Sequence, residues 1–267
     1  MSQPIITLLS DLGTSSPSIP VAKAELMGMV TDAVLTDISH NIAVGDLRQA
    51  SLILQSANRY YPAGTVHIII VEIMAGYHHR LMLARKADQW FLAPDNGILP
   101  LAFGGELQAW LCYEFSGPFT FEEWIIQAGH AASAVYTGNP LPYPPGSFMV
   151  APLPTLPAQL PDCMECSILF IDRYDNVVLD ITKDHFEKIL NERAFSIKMM
   201  RLADITAISH NYNDVPKGEA LCRFNAAGYL EIAVNHGSAA GLLGIKTDDA
   251  ANLGYRTIKI YTGKNAS

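Results

Sequence analysis

Acidic and amide side chains stand directly behind several of the most apolar runs in this chain. Asp11 follows ITLLS, Asp37-Ile38-Ser39-His40 ends a second run, Glu72 follows TVHIIIV, and Pro94-Asp95-Asn96-Gly97 follows WFLA. If these runs are strands of a parallel sheet, their carboxyl ends mark one edge, the edge where α/β proteins hold small ligands. Asp11 is the most informative of the set. A carboxylate at the tip of a first strand can accept both hydroxyl hydrogens of a ribose diol. Asp95 and Asn96 have a simpler reading, because Pro-Asp-Asn-Gly spells a β-turn with Pro and Gly where the dihedrals require them.

Other chemistries lack their residues. No Asp-x-His follows the first strand, as a two-metal phosphoesterase would need, and there is no P-loop, GxGxxG turn or GxSxG elbow. Cys163 and Cys166 form a CxxC, but no matching pair of zinc ligands lies nearby and the motif runs into strand-like SILFID. All four cysteines read as structural, and no metal or disulfide framework is expected.

The elements that must position these residues change character along the chain. Residues 1–137 alternate strands and helices: a strand at 5–9, a helix at 21–30 with Pro20 near its first turn, and a strand at 34–38. Asp46 then caps a helix with apolar residues at Leu47, Ala50, Leu54, Ala57 and Tyr61. A fully apolar strand follows at 65–71, and then a hairpin with arms at 81–84 and 90–92. Strands separated by helices imply crossovers, hence an α/β domain with a mostly parallel sheet. Residues 138–161 are crowded with prolines and read as an extended linker. Residues 162–267 show short, closely spaced strands at 167–172, 177–181, 196–200, 220–224, 229–234 and 257–261, with helices at 183–191 and 238–243. That is the pattern of a smaller β-barrel-like domain.

Composition narrows the partners. Apolar residues make up 49% and charged residues 16%, a balance that favours a well-buried core and subunit interfaces. A net charge of −8 argues against nucleic acid, whose phosphates require clustered Lys and Arg. No apolar run is long enough to span a bilayer, and MSQPIITLLSDLG has neither a basic segment nor a cleavage site, so a cytoplasmic protein is expected.

Taken in order, LLSDLGT, DISHNI, DLRQA, YPAGTVHIIIVE, APDNGIL, IDRYDNVVLDI and NAAGYLEIAVNHGSAAGLLG resemble the S-adenosylmethionine hydrolase (hydroxide adenosyltransferase) family, relatives of the adenosyl-halide synthases chlorinase and fluorinase. The resemblance covers nearly the whole chain. It implies an α/β front domain, a β-barrel back domain and a homotrimer with S-adenosylmethionine held between subunits as substrate, without a cofactor. It also implies roles for individual residues: Asp11 on the ribose, Asp172 near the methionine ammonium, Asn176 near the adenine, and the backbone around Asn235 and His236 on the adenine edge.

The water-handling positions depart from the family's pattern. Where water-using members carry an Asp, an Arg and a His, this chain has Glu72, His79 (with Arg80 next door) and Glu122, and Ala226 stands where a serine is often found. Ile73 and Met74 replace the Pro-Gly of the family's loop. Two expectations follow from the resemblance. Glu72, His79 and Glu122 form a rebuilt water-activating cluster in a divergent hydrolase of weak or altered activity. Alternatively, the chain is a non-catalytic adenosine or S-adenosylmethionine binder. A scaffold role with an empty site is a third reading.

Overall fold

The structure, a computed structural model, describes residues 3–74, 79–104, 107–137, 141–149, 158–160, 162–199, 202–245 and 256–263. The chain divides into two compact units, 1–153 and 154–267.

The first unit is built on strands β1 (Ile5–Ser10), β2 (Val34–Ser39), β3 (Val66–Ile70), β4 (Arg80–Lys86), β5 (Gln89–Pro94) and β6 (Gln108–Glu114), in the order β2-β1-β3-β5-β4-β6. Pairs β1–β2, β1–β3 and β3–β5 are parallel, and β4 runs antiparallel to both of its neighbours, so the sheet is mixed. Four helices accompany it: α1 (Ser18–Met29), α2 (Leu47–Asn58), α3 (Ile98–Phe103) and α4 (Phe121–Tyr136). The strand period of two separates the faces. Ile6, Leu8, Ile68 and Ile70 pack with Ala22 and Leu26 of α1 and Trp124, Ile125 and Ala128 of α4. Leu9, Ile69 and Val71 pack with Ala50 and Leu54 of α2 and Ile98 and Leu99 of α3. A central strand that is apolar at every position is what a sheet covered on both faces demands.

Helix α1 begins three residues before the position read from the sequence. Pro20 therefore sits inside the first turn, where an N–H has no intrahelical acceptor to lose. Strand β6 and helices α3 and α4 were not read from the sequence. The start of α4 nonetheless carries a legible signal: Thr120 accepts the Glu123 N–H and Glu123 returns a bond to the Thr120 N–H, a complete capping box.

The proline-rich residues 141–149 run along the free edge of β6. Leu111 N–H donates to the Pro144 carbonyl and Gly146 N–H to the Ala109 carbonyl. A Cβ at position 146 would lie 2.8 Å from the Leu111 nitrogen, so only glycine permits this approach. Prolines that cannot donate make a good cover for a sheet edge.

The second unit is an antiparallel sheet of β7 (Ala158–Leu160), β8 (Cys163–Ile171), β9 (Val177–Thr182), β10 (Phe195–Ile197), β11 (Ala220–Phe224), β12 (Tyr229–Val234) and β13 (Thr257–Thr262), with helices α5 (Lys183–Leu190) and α6 (Ala239–Leu242). The order is β10-β13-β8-β9-β12-β11, with β7 also on β8. The sheet curls into a half-barrel around Met164, Cys166, Ile168, Leu179, Ile181, Leu230 and Ile232. Residues 205–209 bond both of its outer strands, Ile205 to Ile197 of β10 and Ser209 to Cys222 of β11. Cys163 and Cys166 are three apart on β8 and so point to opposite faces. Cys166 is fully buried, and burial pushes its thiol well above the usual range.

One buried group makes the first unit acid-sensitive. His67, at 0% exposure on β3, is hydrogen-bonded through Nδ1 to Thr7 Oγ1 at 2.7 Å and stacks on Phe91. Burial pushes its imidazole down to about 4. The unfolded chain therefore takes up this proton first, so stability is lost as pH falls from the ordinary histidine value through about 4, by about 3 kcal/mol from this residue. The paired change Thr7→Val with His67→Phe is expected to remove that part of the acid sensitivity. Urea midpoints measured between neutral and acid pH check it, and parallel slopes for the two proteins would refute it.

Candidate functional site

The turn Ser10-Asp11-Leu12-Gly13 leaves the carboxyl end of β1 in the middle of the sheet. Asp11 Oδ2 accepts two backbone N–H groups, from Gly45 at 3.0 Å and from Glu72 at 3.1 Å. These tie the tip of β1 to the approach of α2 and to the exit of β3. Among the described residues, nothing donates to the other carboxylate oxygen, which leaves it available to a ligand hydroxyl.

The turn is held from β2. A register shift between Leu8 and Leu9 skips Ile38 and brings His40 alongside Ser10. Ser10 Oγ lies 2.7 Å from His40 Nδ1, and the His40 carbonyl accepts the Gly13 N–H at 2.8 Å, so one buried residue anchors both flanks of Asp11. His40 Nε2 lies 3.1 Å from Asp37 Oδ1, and Asp37 pairs with Lys23 at 2.7 Å. Burial works to raise the Asp37 carboxyl, but Lys23 and His40 outweigh it and hold the group below its ordinary value.

Glu72 has a left-handed backbone, φ +52°, which for a residue with a Cβ costs about 1–2 kcal/mol. The peptide between Val71 and Glu72 is gripped on both sides. Its N–H donates to Asp11, and its carbonyl accepts from Asn96 Nδ2 at 3.0 Å. The Glu72 carboxyl then rests over Gly45, where Oε1 would sit 3.5 Å from any added Cβ. Burial raises its proton affinity, and the neighbouring Asp11 charge raises it further.

The other candidates fall elsewhere. Arg80 is engaged by other partners: it forms a buried pair with Asp95 at 2.7 Å and also donates to the Ser147 carbonyl. His79 packs edge-on against Phe119 at 5.1 Å, with Nδ1 buried and without a hydrogen-bond partner among the described residues. Glu122 is exposed in the first turn of α4. No hydrogen bond or ion pair among the described residues joins Glu72, His79 and Glu122. Ile73 is buried in the core beneath the edge, and Met74 is half exposed. His78 lies outside the described residues.

In the second unit, Asp172 and Asn176 bond each other. Asp172 accepts the Tyr174 and Asn176 N–H groups and the Asn176 side-chain amide at 2.8–2.9 Å, building the turn between β8 and β9. Asn235 is buried and its amide donates to the Val215 carbonyl at 2.7 Å, fixing the loop that precedes β11. His236 is exposed at φ +55° in the turn after β12.

The sequence reading placed His40 and Asn96 behind strands at this edge without giving either a partner there, and it passed over Gly45. Asn96 was hidden by a good turn signal, because Pro-Asp-Asn-Gly accounts for itself without any distant contact. His40 depends on a register shift that no local pattern announces.

Comparison with known proteins identifies the family. Residues 6–123 match the SAM hydroxide adenosyltransferase N-terminal domain, and residues 166–252 match the C-terminal domain of the same family. The chain is 26% identical over 261 residues to a protein of Salinispora tropica named (R)-S-adenosyl-L-methionine hydrolase, covering 92% of this chain and 96% of that protein. It is 27% identical over 263 residues to the protein of that name from Thermus thermophilus, covering 90% and 96%. A fluorinase from Actinopolyspora mzabensis is 25% identical over 121 residues, 37% of this chain and 40% of the fluorinase. The crystal structure of an uncharacterized conserved protein from Thermotoga maritima superposes with a TM-score of 0.77 at 25% identity, covering 97% of this chain and all of that one. With both family domains matched in order, the chain belongs to the SAM hydroxide adenosyltransferase family.

Proposed function

We propose that this chain hydrolyses S-adenosylmethionine to adenosine and L-methionine at a weak rate, with Glu72 as the proton acceptor. The observation that carries the reading is the Glu72 carboxyl, poised over Gly45 beside Asp11. Asp11 holds the ribose hydroxyls. The water oxygen bonds to C5′ as the C5′–S bond breaks, and the bonding pair stays on sulfur. The sulfonium thereby becomes a neutral thioether that needs no proton, and the proton lost by water passes to Glu72. What the residues supply is position, a partly desolvated base and a fixed diol contact. Asp172, which has acceptor capacity beyond its turn bonds, takes the methionine ammonium; Asn176 and the backbone at Asn235 and His236 face the adenine. We further propose a homotrimer with sites shared between subunits and no cofactor or metal. The four cysteines are free, which suits a reducing cytoplasm.

A second reading, a nucleoside-binding protein without turnover, is favoured by the engagement of Arg80 with Asp95, which leaves Glu72 without a paired cation among the described residues. One experiment separates the two. The protein is incubated with S-adenosylmethionine in chloride buffer, adenosine and 5′-chloro-adenosine are resolved by chromatography, and nucleoside binding is followed by calorimetry. Adenosine should accumulate. Adenosine should also bind about tenfold or more tighter than 2′,3′-dideoxyadenosine, because loss of the diol leaves a partly buried carboxylate short of partners. Binding without product selects the second reading, and equal affinity for the two nucleosides removes Asp11 from the ribose.

A further inference from the structure

We infer that Asn96 is a positioning residue for Glu72, holding one side of a two-sided clamp whose other side is Asp11. The inference rests on the role given to Glu72 above. The C=O of Val71 and the N–H of Glu72 belong to one peptide group, and each is bonded to a side chain from a different strand end: Asn96 at 3.0 Å and Asp11 at 3.1 Å. Peptide planarity means that the group can rotate only as a unit. Gripping both of its polar atoms therefore fixes the orientation that sends Glu72 into the left-handed region.

Asn96 is itself braced. Its Oδ1 accepts the Ile98 N–H at 3.2 Å at the start of α3, and the preceding Asp95 is locked into the buried pair with Arg80. The amide thus bridges a fixed helix start and the peptide that aims the base. A Glu72 freed from this clamp can relax toward an ordinary backbone conformation, and its carboxyl then leaves the surface of Gly45 and the neighbourhood of Asp11. An error of about 1 Å in the position of a reacting group can cost about a hundredfold in rate. An amide in this role does not act on substrate. It differs from a turn residue because its donor reaches a carbonyl 25 positions away in sequence.

The test uses Asn96→Ser in the full chain. Serine can keep the local bond to the Ile98 N–H, since its hydroxyl forms the same kind of short turn, but it is too short to reach Val71. Turnover should fall by about 30- to 100-fold while adenosine affinity stays within about twofold. Two readouts do not require turnover. The Glu72 carboxyl, followed by carbon-detected NMR, should titrate at lower pH than in the wild type as it leaves Asp11, and the Glu72 amide should exchange faster. Wild-type rate together with a wild-type Glu72 titration would overturn the clamp, as would equal losses in turnover and adenosine affinity. If the wild type itself makes no adenosine, the hydrolase reading fails, and the titration and exchange results alone decide the clamp.

Discussion

Glu72→Gln should lower the production of adenosine from S-adenosylmethionine by about 100-fold or more and leave adenosine affinity nearly unchanged, since general-base catalysis contributes typically 10²–10⁴. Glutamine keeps the length of the side chain and the backbone bond to Asp11, so the change removes the proton acceptor and little else. In the wild type, turnover should rise with pH as Glu72 ionises, and that limb should lie above the ordinary carboxylate range. Burial and the Asp11 charge both disfavour the ionised form. The same shift has a consequence for stability. Because the folded state holds this proton more tightly than the unfolded chain does, the wild type loses stability as pH rises through the folded-state value. Glu72→Gln should therefore melt higher than the wild type at neutral pH, and the gap should close in acid. A variant that is both inactive and more stable is the signature of a base held at some cost to the fold. An inactive but less stable variant would point to simple damage. Glu122→Gln is the useful companion: exposed on α4 and joined to neither Glu72 nor His79, it should behave as a surface substitution.

What the sequence made legible here was periodicity and punctuation. The apolar run that becomes β3 and the Asp46 cap of α2 are local signals, and local signals can be read one segment at a time. The position of Asp11 was legible for the same reason, as a single acid behind a single strand. The relationships around it were not. Asn96 meets Val71, Gly45 meets Glu72, and His40 meets Ser10 only because β1, β2, β3 and β5 lie in a particular order with a particular register. Glu122 carries two competing signals. A comparison of residue types placed it in the chemistry, while the Thr120–Glu123 capping box a residue away marks it as part of a helix start. The cation next to Glu72 was likewise sought in His79 or Arg80. Residue type leaves both available, and only geometry shows that Arg80 is occupied.

That occupation predicts the largest effect on folding. Arg80, at the start of β4, and Asp95, just beyond β5, form an ion pair with side-chain exposures of 9% and 0%. Asp95 also accepts the Met149 N–H, and Arg80 donates to the Ser147 carbonyl, so the pair draws two strand ends and the segment along β6 together. Removing one member of a buried pair leaves an uncompensated charge, which typically costs 3–5 kcal/mol. Asp95→Ala and Arg80→Met should each lower the stability of the first unit by about that much, read as a fall in urea midpoint at unchanged slope. The double change should cost much less than the two single losses combined, because it removes the stranded charge along with its partner. If the single losses simply add, the pair is not acting as a unit and the two residues serve separate contacts. A cation reserved for Glu72 would instead reveal itself in Arg80→Met as an upward shift of the acid limb of turnover, with only a small change in midpoint. The 2.7 Å contact with Asp95 argues for the loss of stability. Under the proposed hydrolase reading, Glu72 then works beside Asp11, whose charge raises its affinity for a proton.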